Sequence, residues 1–435
     1  MSKINYIKGD SKVLNAWAFY DWANSVYPLV ISSSVFPIYY GALFLDSQYI
    51  DVFGFNFKNT ALISFLTAFA FVILSFITPM LSGIADYMGN KKTFLKFFCY
   101  TGSISCMGLY WFDLENIYLG LFFYFLALIS FWASLVFYNA YLPDIAHKEQ
   151  QDYISAKGYA LGYVGSVILL IFNLAMVMSP NTFGITGNNP ELIAMKYSFI
   201  SVGIWWIVCS QYTFYYLPNI NQKRKIIKDV FFNGFKELKE VWDELKEILI
   251  IKKFLIAFFI YSSALQTVLL IATYFGEQEI IWKEGEKTTG LIISILLIQL
   301  IAIFGAMITA KISKKIGNIH SLVILNLIWA FLCLGAFFIT KPYEFYIAAG
   351  LVGMVMGGIQ ALSRSTFSKM IPETENPTSY FSFFDVSQKV SIVLGMTLFA
   401  FLDQITGSMR VSILVFVLIF LIGAFLLNRI KIKNI

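Results

Sequence analysis

Residues Val13 to Leu45 read VLNAWAFYDWANSVYPLVISSSVFPIYYGALFL, and this one stretch decides the fold class. It is long enough to cross a lipid bilayer, which takes about 20 mainly apolar residues. Lys3, Lys8 and Lys12 precede it, and no small-x-small cleavage pattern follows a short apolar core, so it reads as a retained first span rather than a signal peptide. Its one charge, Asp21, lies about 12 Å along the helix from the start of the run. An acid at that depth cannot snorkel to water as a lysine does. Charged groups inside spans are costly enough to be functional candidates by default.

The rest of the chain follows the same pattern. Its 435 residues are 58% hydrophobic and 13% charged, with a mean hydropathy of +0.71. A soluble protein carries roughly 25% charged residues, and no single soluble core hides this much apolar surface. Twelve candidate spans cover approximately 14–44, 60–85, 93–112, 117–142, 156–178, 194–217, 254–275, 288–312, 319–340, 343–370, 379–402 and 409–429. With the N-terminus placed in the cytoplasm, the outer side keeps only Lys58, Lys196, Lys283, Lys287, Lys341 and Arg410 of the 32 Lys and Arg residues. The formal charge of +6 is therefore a topology signal and not a nucleic-acid footprint. Both termini are expected in the cytoplasm, with the chain in the plasma (inner) membrane.

The chain divides near its middle. Residues 219–253 form the longest connection, in which Ile227, Val230, Phe231, Leu238, Val241, Trp242, Leu245, Ile248 and Leu249 recur at helical spacing opposite a charged face. That is an amphipathic helix expected at the headgroup level. It separates an N-terminal half, 1–218, from a C-terminal half, 254–435. Asp86-Tyr87-Met88-Gly89-Asn90-Lys91-Lys92 follows the second span, and Lys314-Lys315-Ile316-Gly317-Asn318 follows the eighth. Each is a tight basic turn containing a glycine, and internal duplication of this kind is frequent in secondary transporters.

The first of these turns resembles the Gly-x-x-x-Asp-x-x-Gly-Arg/Lys-Lys/Arg motif of the major facilitator superfamily, with Ser82 in place of the first glycine and Asn90 in a usually basic place. In the second turn Lys314 replaces the acid. Three further stretches narrow the resemblance: Trp17 to Ser25; Phe137-Tyr138-Asn139-Ala140-Tyr141-Leu142-Pro143-Asp144 with the following Gly158 to Tyr163; and Gly357 to Ser365 through Pro372. Together they look like the vacuolar-effluxer-like family of that superfamily, whose eukaryotic members export amino acids from the vacuole. The resemblance implies an all-α integral membrane protein of twelve transmembrane helices in two pseudo-symmetric six-helix halves. It also implies alternating access to a site between the halves. Many members carry Asn-Asp-Gly in span seven, where this chain has Ser262-Ser263-Ala264 and therefore no acid.

Candidate site residues follow from intramembrane polarity. Asp21, with Asn24 and Tyr27 at i+3 and i+6, either binds substrate or a proton, or forms a structural ion pair or gate. Asp385 and Lys389 at i,i+4 either neutralise one another or leave Lys389 to hold an anionic group such as a carboxylate. Arg364 serves as gate, helix-end anchor or carboxylate ligand. Since lipid-facing charges are costly, Asp21, Arg364 and Lys389 are expected to share one polar cavity, with Asn24, Tyr27, Asn139 and Gln360 adding hydrogen bonds. A cavity holding an acid and cations suits a zwitterion. Asp86, Gly89, Lys91, Lys92 and Asp144 are expected to act in gating, with a solvated turn carboxylate as the alternative for the acids. Gly158, Gly162, Gly165, Gly350, Gly353, Gly357 and Gly358 allow close helix packing.

The four cysteines lie in apolar stretches without a Cys-x-x-Cys pair, and the only histidines, His147 and His320, fall at span ends. There is no His-Glu-x-x-His, no phosphate-binding Gly-rich loop and no Gly-x-Ser-x-Gly. No cofactor, metal or enzymatic activity is expected. The expected partners are a small-molecule substrate, a coupling proton or cation, and the bilayer, around a monomer. An importer of the same superfamily, a receptor and a membrane enzyme are the competing readings.

Overall fold

The computed structural model describes residues 7–44, 49–52, 54–219, 230–284, 286–374 and 376–430. Lys3, Ile227, Lys431 and Lys433 lie outside these. Twelve helical crossings fill the described chain. The first runs from Ser11 to Leu43 in three parts: an α-helix to Asn24, a wider π-helical segment Tyr27–Val35, and a second α-helix Phe36–Leu43. Pro28 and Pro37 lack an N–H, so neither can donate the usual i→i−4 bond, and the helix loosens around them. The remaining spans are Asn59–Met88, Lys91–Gly108, Ile117–Asn139, Lys148–Met178, Pro190–Tyr216, Leu249–Glu279, Lys287–Ile316, Asn318–Ala336, Pro342–Met370, Pro377–Thr406 and Met409–Asn428.

Eleven of these crossings are long and apolar enough to span a bilayer by composition alone. The exception is the third, Lys91–Gly108, which opens with Lys91, Lys92 and Lys96. It is held in place by packing on the fourth and sixth spans. The fifth span begins at Lys148, well before the expected 156, so Asp152 belongs to its buried face. A two-stranded hairpin that hydropathy does not reveal, β1 (Tyr49–Val52) and β2 (Phe55–Lys58), sits between the first two spans. It pairs Tyr49 with Lys58 and Val52 with Phe55, and turns through Gly54 at φ 80°.

Neighbour relations repeat between the halves with an offset of six spans. One packs on five and six, as seven packs on eleven and twelve. Two packs on four as eight does on ten, and three packs on six as nine does on twelve. One hydrophobic core runs from Val13 to Leu217, and a second is centred on residues Val241 to Ile430. The halves meet along spans two and eleven, and along span five with eight and ten.

The linker helix, Val230–Glu247, spends part of its apolar face on protein. It packs on the second span, with Val241 and Leu245 buried in the second core. Trp242 lies 5.3 Å from the Phe383 ring, and Tyr380 donates a 2.6 Å hydrogen bond to Glu244. Amphipathic spacing alone cannot distinguish a lipid surface from a protein one, because both reward the same stripe.

Because the crossings are even in number, the first helix starts and the last helix finishes on one face of the bundle, together with the two basic turns. This is called the basic face below.

Candidate functional site

The first and tenth spans bring Asp21 and Arg364 together across the boundary between halves. Both Arg364 Nη atoms donate to Asp21 Oδ2 at 3.1 Å, and the Tyr138 hydroxyl donates to the same oxygen at 2.9 Å. Arg364 Nε donates to Ser155 Oγ at 2.9 Å, Nη2 to the Ser155 carbonyl at 2.8 Å, and Nη1 reaches Asn139 Oδ1 at 3.5 Å. The guanidinium also lies 4.2 Å from the centre of the Tyr159 ring and 4.9 Å from that of Trp17. Trp17 is fixed by stacking on Tyr138 and by donating from its indole nitrogen to the Tyr138 carbonyl at 2.9 Å. A buried guanidinium needs its fork of donors satisfied and its charge balanced, and this cage does both.

The fifth span can approach because residue 158 is glycine. A Cβ there would stand 2.3 Å from Asp21 Oδ2 and 3.0 Å from Arg364 Nη2, inside the space the ion pair occupies. One turn further on, a Cβ at Gly162 would stand 2.4 Å from Ser25 Oγ.

More polar ties join the halves along the same seam. Deeper in the bundle, Tyr163 donates to Gln360 Oε1 at 2.8 Å. At the level of the ion pair, Ser155 donates to the Ala361 carbonyl at 2.7 Å. Nearer the basic face, Lys369 donates to Asp152 Oδ2 at 2.5 Å, and Asn318 Nδ2 to Asp152 Oδ1 at 2.8 Å. From Asp152 to Tyr163 the fifth span rises about 16 Å, so the seam is zipped over roughly half a bilayer.

On the other side of the bundle, Asp86 accepts backbone N–H bonds from Thr378 at 3.2 Å and Ser379 at 2.6 Å, in the first turn of the eleventh span. A carboxylate there complements both the free N–H groups and the positive end of the helix. Gly89, at φ 61°, closes the second span and turns the chain so that Asp86 can reach across. Lys91 turns instead to Asp144 and to the Ala140 carbonyl, and Lys92 donates to the Leu217 carbonyl at 2.6 Å. Those two lysines brace the first half internally.

The polar set expected in one cavity falls into separate groups. Lys389, with a side chain 0% exposed, pairs with Asp385 on its own helix and lies 5.9 Å from the centre of the Trp132 ring of the fourth span. Tyr27 is buried among Phe131, at 4.9 Å, and Trp206, at 6.1 Å, in the interior of the first half. Asn24 is buried one turn past Asp21. The contacts described for Lys389 and Tyr27 do not reach Asp21 or Arg364. The physical reason for Tyr27 is helical geometry: at about 3.6 residues per turn, i+6 points about 120° away from i, so Tyr27 turns from Asp21 into the interior of the first half.

Sequence reasoning misses Trp17, Tyr138, Ser155 and Tyr159, which complete the arginine cage, and the Asp152–Lys369 pair. Trp17, Tyr138 and Tyr159 all lie inside the quoted stretches. Asp152 carries a usable signal, an acid in the second turn of a helix, but hydropathy starts that span only at 156.

All the inter-half ion pairs and hydrogen bonds just described lie toward the basic face, and together they close it. Further from that face, Ile295 and Leu296 of span eight pack on the core of the first half. Buried pairs give back in attraction about what they cost in desolvation. A seam built from them can therefore open without a large net change, as a bistable element requires.

Known proteins share both the sequence and the fold. A family model described as "Vacuole effluxer Atg22 like" matches residues 9–434. The uncharacterized MFS-type transporter YxiO of Bacillus subtilis is 30% identical over 423 residues, covering 97% of this chain and 95% of that protein. Autophagy-related protein 22 of Saccharomyces cerevisiae (strain S288c) is 26% identical over 330 residues, and the match spans 60% of its length and 68% of this chain. Among solved structures, the major facilitator transporter FucP in the outward conformation superposes with a TM-score of 0.71 at 14% identity, over 98% of this chain and 99% of its own. The proton:xylose symporter XylE gives 0.69 at 12% identity, over 97% and 95%. These two likenesses establish the fold. The chain belongs to the vacuole effluxer Atg22-like family and is a transporter with the major facilitator fold.

Proposed function

We propose that this transporter exports an amino acid or a similar zwitterionic or anionic metabolite by alternating access. Residues 1–218 and 254–435 rock as two bodies about the seam, and 219–253 connects them. The observation that carries this reading is the placement of the Asp21–Arg364 and Asp152–Lys369 pairs. Each joins one half to the other, on the basic-face side of the bundle. The basic excess puts that face in the cytoplasm of a cell bounded by its inner membrane, so these pairs hold the halves together on the cytoplasmic side.

Asp21, Asn139 and Arg364, with Gln360, form the part of the substrate path that opens to the cytoplasm. Asp385 and Lys389 supply charge on the facing eleventh span, while Asn24 and Tyr27 shape the wall behind. Once the halves part, Arg364 and Asp21 offer a cation and an anion, which fit the carboxylate and ammonium of an amino acid. The effluxer description of the family supports export. A coupling proton or cation, acting on a monomer, completes the reading.

The test is transport in proteoliposomes loaded with a pool of amino acids and small metabolites, with and without a pH gradient. Selective release of amino acids that is lost in Arg364→Gln supports the proposal. Release no faster than from protein-free liposomes for every solute in the pool rejects it.

A further inference from the structure

The two basic turns use their lysines differently. In the first, Lys91 pairs with Asp144, Lys92 donates to the Leu217 carbonyl, and Lys96 lies 5.5 Å from the centre of the Phe214 ring. In the second, Lys311, Lys314 and Lys315 are all exposed, and among the described residues none has an acid within ion-pair distance. The closest acid in the seam, Asp152, is already bound to Lys369 and Asn318. Three like charges at i, i+3 and i+4 repel one another, so the eighth span ends in a concentrated positive patch without a counter-charge among the described residues.

The patch continues an apolar stripe. Leu300, Phe304, Ile308 and Ile312 are exposed at a spacing of four along the same helix. Residues 300–312 rise about 18 Å, close to the depth of one leaflet of the hydrocarbon core, about 15 Å. Tyr153, half-exposed at the start of the fifth span, lies 6.0 Å from Lys314 across the seam. A stripe of leaflet depth that ends in uncompensated lysines at the water boundary has the chemistry of a phospholipid, with acyl chain below and anionic headgroup above. We propose that the basic end of the eighth span, with Tyr153, is a binding site for an anionic phospholipid of the leaflet on the basic face. Because Tyr153 and Lys314 come from opposite halves, the bound headgroup bridges the seam and favours its closed state.

The experiment is native mass spectrometry of the full chain released from detergent after incubation with phosphatidylglycerol or phosphatidylcholine. Three proteins are compared: the wild type, Lys311→Gln/Lys314→Gln/Lys315→Gln, and the control Lys252→Gln/Lys253→Gln. The control removes two exposed lysines of the same face, on the seventh span. The expected result is that the wild type and the control retain phosphatidylglycerol at least five-fold more than phosphatidylcholine, and the triple variant loses that preference. Equal retention of the two lipids by the wild type, an unchanged preference in the triple variant, or an equal loss in the control each overturns the proposal. The first of these outcomes would leave the patch to a soluble acidic partner, and the last to general surface charge.

Discussion

Replacing Asp21 by Asn removes the negative half of the buried pair and leaves its shape. The amide oxygen of the new side chain still accepts from Tyr138, and Arg364 keeps both Ser155 contacts and its aromatic neighbours, so the fold should hold. What is lost is the compensation of a guanidinium whose side chain is 4% exposed. Removing one partner of a buried pair costs about 3–5 kcal/mol, and the surviving contacts argue for the lower end. When the seam opens, Arg364 leaves Asp21 and meets water in either protein, so the loss falls on the closed state alone. About 3 kcal/mol corresponds to roughly two decades in the closed-to-open ratio, at about 1.4 kcal/mol per decade. The assay is a distance distribution between spin labels at Lys148→Cys and His320→Cys, both exposed on the basic face and on opposite halves, with the partly exposed Cys209 replaced by Ala. Asp21→Asn should add a longer-distance population, and Asp21→Asn/Arg364→Gln should recover part of the wild-type distribution because the orphaned charge is gone. An unchanged distribution in the single variant, or a double variant no nearer to wild type, would refute the reasoning.

Asp86→Asn weakens two helix-end hydrogen bonds by removing their charge assistance, worth about 1–2 kcal/mol. The same label pair should show roughly a ten-fold shift toward the open state, with substrate affinity in a binding assay changed less than the transport rate. Lys389→Met leaves Asp385 without its partner in the eleventh span, and should abolish transport in proteoliposomes while the purified protein still elutes as a folded monomer in size-exclusion chromatography. Gly158→Ala puts a Cβ within 2.3 Å of the Asp21 carboxylate. It should push the pair apart and mimic Asp21→Asn in the distance measurement, whereas Gly350→Ala, which meets only the end of the Ile301 side chain at 3.1 Å, should leave it unchanged.

The crossings were legible because a bilayer imposes length and apolarity on each span locally. The third was the weakest by that measure, and only its packing between neighbours shows why Lys91, Lys92 and Lys96 are tolerated at its start. Individual charges were legible too, since Asp21, Arg364, Asp385 and Lys389 stand out in apolar surroundings. Their partners were not. Asp21 and Arg364 are 343 residues apart, and nothing in local spacing says that one spans the gap to the other while Lys389 stays with Asp385. The second basic turn is instructive in the same way. Lys314 stands there in place of the acid, and Asp152 supplies a carboxylate to Asn318 from the opposing fifth span. Pseudo-symmetric helices need a balanced interface, and either side can contribute the charge.

The linker helix meets the seventh span at a one-residue corner, Ile248, with φ −82° and ψ 85°. Hydrogen bonds from Ile248 N–H to the Glu244 carbonyl at 3.0 Å and from Lys252 N–H to the Ile248 carbonyl at 3.1 Å stiffen it on both sides. Two rods fixed at such an elbow behave as a lever. The 18-residue arm is about 27 Å long, so a tilt of about 10° at the fulcrum sweeps its tip through about 5 Å. A tilt of the seventh span against the second, on which the arm also packs, should therefore shift the arm at the surface, where a fluorophore on exposed Lys236 can follow it without entering the bundle.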